Sequence, residues 1–209
     1  MRIYAAADIH GAQYRLNLIL NNIQKYAPDL MIICGDITQF GPADVATNFL
    51  NQLPLETLAL HGNIDTPDVP PAITNSKAIN IDRTHITIKN WEFIGIGGDL
   101  SEPFTKTLIH RGKKTQPLNE LITKKTILVT HVPPYGFQDT TFLGHHIGNK
   151  ELKEVLETYE PLLIICGHVH EDPGYTTYKN TTIVNCSLGK KTEGALIDIN
   201  DAITVQLLE

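Results

Sequence analysis

Five short motifs carry residue types that bind metal ions: Asp8-Ile9-His10, Gly35-Asp36, Gly62-Asn63-Ile64-Asp65, His131, and Gly167-His168-Val169-His170. Asp and Asn offer hard oxygen, and imidazole suits Zn, Mn, Fe or Ni. Asp8, His10, Asp36, Asn63, His131, His168 and His170 are too many ligands for one tetrahedral ion. With one bridging carboxylate they supply about four protein contacts to each of two ions. Two ions about 3.5 to 4 Å apart suit in-line displacement at phosphorus. Coordination lowers the pKa of water, so the expected nucleophile is a bridging hydroxide. Two M²⁺ ions, two aspartates and that hydroxide leave a core of about +1, which favours an anionic substrate.

Each motif follows an apolar run. Ile3 to Ala7, Leu30 to Cys34, Leu55 to Leu60, Thr126 to Thr130 and Leu162 to Cys166 read as strands. Continuous apolar runs of this length are expected of strands buried on both faces. Leu16, Ile19, Leu20 and Ile23 are spaced as one face of a helix. Pro42 is placed to open a second helix, with Val45, Phe49 and Leu53 inward. The result is a βαβαβ opening with parallel strands. In such sheets, ligands bind outside the carboxyl ends of the strands. The five motifs therefore converge on one rim, and Gly35, Gly62 and Gly167 allow close backbone approach there.

The remaining elements follow from pattern. Pro67 to Pro71 reads as a loop. Thr84 to Lys89 alternates as a strand with one exposed face and turns at Lys89-Asn90 into Trp91 to Ile96. Leu118, Leu121 and Ile122 mark a short helix. Asn149 caps a helix with Leu152, Val155, Leu156 and Tyr159 on one face. The tail reads as strands Gly174 to Lys179, Thr181 to Asn185, Ala195 to Asn200 and Ile203 to Leu208. Two βα units around a β-rich middle imply two packed sheets with helices outside. No repeat or linker interrupts the chain, so residues 1–209 read as one domain.

Composition narrows the function classes. Apolar residues are 42% and charged residues 19% of 209, which excludes wholesale disorder. The net charge of −6 disfavours a long nucleic acid as partner and leaves a small phosphorylated substrate. No apolar stretch is long enough for a membrane-spanning helix. The start, Met1 to Asp8, is too short and too soon acidic for a signal peptide. Cys34, Cys166 and Cys186 make no disulfide framework, and Cys34 and Cys166 read as buried apolar residues. A cytoplasmic location follows as an expectation.

The ordered motif set, from Asp8 to His170, resembles the calcineurin-like metallophosphoesterase superfamily. The resemblance implies an α/β fold, a four-layer αββα sandwich with two mixed β-sheets. It implies two divalent metal ions (Mn, Fe, Zn or Ni, with Mn favoured). One ion would take Asp8, His10, Asp36 and His170. The other would take Asp36, Asn63, His131 and His168, with Asp36 as the bridge. His131-Val132-Pro133-Pro134-Tyr135-Gly136 and Gly167-His168-Val169-His170-Glu171 are similar to a small archaeal and bacterial branch. In that branch a segment like His146-Ile147-Gly148 precedes the last metal motif.

One motif departs from the superfamily pattern. It usually reads Gly-Asn-His-Asp, and its His protonates the leaving group or steadies the transition state. Here Ile64 stands in that place and carries no proton. General acid assistance contributes about 10² to 10⁴-fold, so the expected enzyme cleaves nitrophenyl esters far better than alkyl esters. His146, in the Gly144 to Gly148 segment, is the candidate for a replacement proton donor or substrate contact. With Asn63 it completes the catalytic candidates. His145 reads as an exposed loop residue, His61 as buried, and His85 and His110 as surface residues. Arg111-Gly112-Lys113-Lys114 and Lys124-Lys125 read as solvated basic segments, and Gly97-Gly98-Asp99 as a loop. The expected activity is hydrolysis of a small-molecule or nucleotide phosphodiester. Ile64 favours one alternative, a metal-binding or weakly active interaction module on the same fold.

Overall fold

The structure, a computed structural model, describes residues 1–100, 107–112 and 114–209. Lys113 of the basic segment lies outside the described residues. The chain opens with β1 (Arg2–Ala6), α1 (Gln13–Tyr26), β2 (Leu30–Cys34), α2 (Ala43–Gln52) and β3 (Thr57–Leu60). The strands β1, β2 and β3 pair in parallel, as the two short helical crossovers require. Pro42 caps α2 one residue before its first turn. Val45 is half-buried, while Ala46, Phe49 and Leu50 make the inward face.

Pro67 and Asp68 form a turn, but the rest of the expected loop, Val69 to Pro71, is helical. Pro70 and Pro71 fall in the first turn of α3 (Val69–Thr74). A first-turn residue needs no intrahelical N–H partner, and the fixed φ of proline suits the helix. β4 (Ile79–Asn80), β5 (Thr84–Ile88) and β6 (Trp91–Ile96) follow. Lys89 and Asn90 both take positive φ, 48° and 72°, which is the turn expected of a tight hairpin. A second hairpin, β7 (Leu108–Arg111) and β8 (Lys114–Pro117), is not legible in the apolar pattern. Only Ile109 of β7 is fully buried, so no alternation marks it.

The second half carries α4 (Leu118–Leu121), β9 (Thr126–Thr130), α5 (Lys150–Tyr159) and β10 (Leu163–Cys166). Asn149 caps α5 as expected, accepting the Leu152 N–H at 2.8 Å. β11 (Gly174–Tyr178), β12 (Thr181–Asn185), β13 (Ala195–Ile199) and β14 (Ile203–Leu207) close the chain. One sheet has the order β14-β13-β1-β2-β3-β4 and the other β11-β12-β10-β9-β6-β5-β7-β8. Both mix parallel and antiparallel pairs.

Three apolar clusters make the layers. Ile3, Ala5, Ile32 and Leu58 of the first sheet pack against Phe93, Ile127, Leu163 and Val184 of the second. Leu16, Ile19, Phe49 and Ile73 cover the outer face of the first sheet. Leu118, Leu152, Val155 and Leu156 cover that of the second. This is the αββα order. Each fully buried Leu or Ile contributes about 1.5–3 kcal/mol, so the strand ends stand on a stiff base. Cys34, Cys166 and Cys186 are free and buried in these layers.

His85 is not a surface residue. It is 5% exposed, on β5 opposite Ile94, and neither ring nitrogen has a hydrogen-bond partner among the described residues. Burial first, and the Arg111 charge second, hold it below its ordinary pKa, against a small pull from Glu92. The unfolded chain takes up that proton near pH 6.5, before the folded protein does. Stability therefore falls as pH drops through that range. We expect His85→Leu to stabilise the protein by about 1–3 kcal/mol, the cost of an unsatisfied buried polar group, and to flatten the acid side. Urea midpoints at pH 8 and 5.5 test this; parallel pH slopes in both proteins would contradict it.

Candidate metal centre

The five motifs meet at one rim because the two sheets join there. Ala7, just beyond β1, bridges Ser187, just beyond β12, and its N–H donates to the Cys186 carbonyl at 3.2 Å. The Gly167 N–H donates to the His131 carbonyl at 2.8 Å. A side chain on Gly167 would overlap the Ala7 methyl, so only glycine permits this approach. Gly62 is equally constrained, since a Cβ there would strike the Asp36 carboxylate.

Backbone bonds align the loops. Asp8 N–H donates to Gly35 O at 3.1 Å, His10 N–H to Asp36 O at 2.9 Å, and Gly11 N–H to Ile37 O at 2.8 Å. Asp8, His10, Asp36 and His168 take left-handed backbone, with φ of 63°, 53°, 50° and 72°. Asp and His enter that region more readily than most residues. Such positions cost about 1–3 kcal/mol each and gather at functional sites.

Asp65, noted in the sequence only as part of a motif, holds two of these loops together. Its carboxylate accepts Thr38 N–H and Oγ1–H, both at 2.8 Å, Gly62 N–H at 2.9 Å and Ile37 N–H at 3.1 Å. It is buried. Asp65→Ala leaves four donors unmatched and is expected to destabilise by at least about 3 kcal/mol. Denaturant unfolding measures it; a loss under 1 kcal/mol (roughly one ordinary hydrogen bond) would refute this role.

The ligand atoms face one another. His131 Nδ1 donates to the Cys34 carbonyl at 2.7 Å, leaving Nε2 at 2.8 Å from Asn63 Oδ1 and 3.4 Å from Asp36 Oδ2. His168 Nδ1 lies 2.9 Å from the same Asn63 oxygen. His10 Nε2 and His170 Nε2 are 3.2 Å apart, in rings stacked at 13°. His170 Nε2 is 3.3 Å from Asp8 Oδ1. Asp8 Oδ2 accepts the His168 N–H at 3.1 Å. Among the described residues, Asp8 Oδ1 and His10 Nδ1 are buried without a hydrogen-bond partner.

These atoms form two groups in which every ligand atom lies within 4.8 Å of the others: Asp8, His10 and His170, and Asp8, Asp36 and His131. Asp8 belongs to both. Lone pairs crowded this closely repel unless a cation lies among them, and a buried carboxylate oxygen without a donor calls for one. Oxygen and imidazole donors without thiolate suit a borderline or hard divalent ion. The residues therefore fit a metal pair. Asn63, an exposed residue, and His168 join them through the shared Asn63 oxygen.

The electrostatics agree with that donor set. Burial would raise Asp8, but the neighbouring His170 imidazole, with the charge of His131, holds it down to about 2. Burial lowers His131, but Asp36 and Asp8 override it and raise it to about 9. A cation and that proton compete for the same Nε2 lone pair. Burial holds His10 and His168 below their ordinary values. The nearby Asp8 carboxylate, opposed by burial, raises His170.

The sequence profile of the family described as calcineurin-like phosphoesterase matches residues 1–172. The chain belongs to that family. This phosphoesterase is 33% identical to an uncharacterized protein of Methanocaldococcus jannaschii, covering 90% of this chain and 88% of that one. It is 32% identical to "Probable glycerophosphodiester phosphodiesterase GpdQ" of Arcobacter nitrofigilis, covering 87% of this chain and 70% of that one. The crystal structure of TT1561 from Thermus thermophilus superposes with a TM-score of 0.72 at 17% identity, covering 100% and 99% of the two chains, and shares the fold. The phosphoesterase has no helix, among the described residues, long and apolar enough to cross a membrane.

The other sequence candidates lie outside the two ligand groups. His146 lies in an irregular excursion between β9 and α5, paired across a bridge with Thr140. Its Nδ1 donates to Asp139 Oδ1 at 2.6 Å. Asp139 is fully buried and also accepts Gly136 and Gly148 N–H at 3.0 and 2.9 Å. Thr140 N–H donates to Asp172 Oδ2 at 3.0 Å, which ties this segment to the turn after His170. Sequence reasoning missed Asp139; a lone acid between Gly136 and Gly148 was the available signal. His145 and His110 are exposed. His61 is half-buried rather than buried, packed on Gly97 and Gly98. Lys124 pairs with Glu160 at the surface, and Lys114 and Lys125 are exposed.

Proposed function

We propose that this phosphoesterase hydrolyses a small phosphodiester with two divalent ions. Asp8, His10, Asp36 and His170 hold one ion; Asp36, Asn63, His131 and His168 hold the other. The observation that carries this reading is the pair of ligand groups meeting at Asp8, with a buried Asp8 oxygen that no donor satisfies. When bound, the ions polarise a phosphoryl oxygen and make water a nucleophile at neutral pH. Asn63 places its amide oxygen between His131 and His168. The Cys34 carbonyl fixes the His131 ring, so Nε2 is the ligating atom. Asp139 accepts from His146 Nδ1, so the protonated ring presents its Nε2–H as the proton for the departing oxygen.

The relative's name, a glycerophosphodiester phosphodiesterase, supports a diester, and the net charge of −6 supports a small substrate over a long nucleic acid. The three oxygen donors among the seven ligands support Mn, and three free buried cysteines support a reducing cytoplasm. A purely scaffolding role is disfavoured, since it gives no reason to keep crowded lone pairs. Metal analysis followed by assay on bis-p-nitrophenyl phosphate is the test. Activity should vanish in His10→Ala and in His168→Ala while circular dichroism is unchanged. Full activity in either variant, or a metal-loaded protein without turnover, would overturn the proposal.

A further inference from the structure

Arg15 lies in the first turn of α1, five positions after His10. Its Nη1–H donates to the Asp8 carbonyl, and its Nε–H to the Tyr14 hydroxyl at 2.9 Å. The guanidinium carbon stands 5.7 Å from the Tyr14 ring centre. The side chain is half-buried, and among the described residues no carboxylate pairs with it. A guanidinium carries five N–H donors in a fixed fork, so about three remain uncommitted.

Neither the helix nor the metal ligands account for a cation here. A positive side chain in the first turn opposes the helix dipole, and no acid in that turn offsets it. Its hydrogen bond to the Asp8 carbonyl sets the guanidinium beside the Asp8, His10 and His170 group. Beside two divalent ions it adds repulsion unless an anion lies between them.

We propose that Arg15 is a substrate-binding residue whose free N–H donors hold a non-bridging phosphoryl oxygen on the Asp8–His10–His170 side of the rim. This rests on the phosphodiesterase reading above and adds to it a residue outside the metal motifs. The planar fork matches phosphate oxygens, and its anchors on Asp8 and Tyr14 keep it oriented. It stabilises the extra negative charge that the attacked phosphoryl group spreads over its oxygens.

The test uses the metal-loaded full chain, with inorganic phosphate as titrant and bis-p-nitrophenyl phosphate as substrate. In Arg15→Gln, phosphate affinity and kcat/KM should each fall about 10- to 100-fold, as for a lost charge-assisted hydrogen bond. Metal content and circular dichroism should match the wild type. Arg15→Lys keeps the charge but not the fork, and should recover part of the phosphate affinity. Wild-type affinity and KM in Arg15→Gln would overturn the assignment. So would a loss that follows a fall in metal content, because Arg15 would then serve only the Asp8 loop. If the wild type holds two ions yet binds no phosphate, the phosphodiesterase reading itself fails, which is a separate outcome.

Discussion

Asp36→Asn is expected to lower bound metal from about two ions per chain to one or fewer and to cut diesterase activity at least about 10³-fold. The carboxylate stands in the group with Asp8 and His131. Its Oδ2 lies 3.4 Å from His131 Nε2, and its charge also acts on His10. Its Oδ1 accepts the Ile64 N–H at 3.1 Å, which sets its angle. An amide keeps the shape but removes the charge and one acceptor, and a site bridged by it loses affinity for both ions. Asp8→Asn is the necessary companion, because Asp8 is the residue common to the two ligand groups. Elemental analysis of both variants decides between them. If Asp36→Asn retains both ions and Asp8→Asn loses them, the bridge is Asp8.

His146→Ala is expected to lower the alkyl ester rate about 10² to 10⁴-fold and to change the nitrophenyl ester rate little. An alkoxide needs a proton as it leaves, and a nitrophenolate scarcely does. From the sequence alone, the stronger expectation is that the wild type itself cleaves alkyl esters poorly, because a loop histidine is loosely placed. The Asp139 anchor changes that weight. A buried carboxylate with three partners holds the His146 ring at 2.6 Å, and Thr140 ties the segment to Asp172. Ile64→His should then add little to the wild type. In the His146→Ala background it should restore alkyl turnover. Position 64 suits that rescue, since its N–H is fixed to Asp36 and its carbonyl to the Phe40 N–H at 3.2 Å. A large gain from Ile64→His alone would remove His146 from the mechanism. An unchanged alkyl-to-nitrophenyl ratio in every variant would make water the proton source.

Much of the fold was legible because its signals are local. The buried parallel strands are continuous apolar runs, and β9 and β12 begin and end where their residues imply. Asn149 and the face of α5 follow from a cap and a period. The strand-end motifs were legible for the same reason, since each polar residue directly follows its strand. Where two local signals competed, the reading failed. Pro67 to Pro71 looks like a loop by composition, yet proline in a first turn costs the helix nothing. His85 looks like the polar position of an exposed strand, but the packing around β5 encloses it.

The sequence alone determined the strand ends, the donor types, the missing imidazole at position 64 and the sign of the overall charge. Tertiary structure decided which donors meet. Asp8 reaches His168 across 160 positions, Asn63 reaches His131 across 68, and Asp65 binds Thr38 across 27. It also decided that Asp8 enters both ligand groups, that Asp139 holds His146, and that Arg15 stands beside the centre without an acidic partner among the described residues. No periodicity encodes such contacts. They arise when two sheets close on one apolar layer and bring separate loops within hydrogen-bond distance, where a side chain's partners depend on three-dimensional approach rather than on its neighbours in the chain.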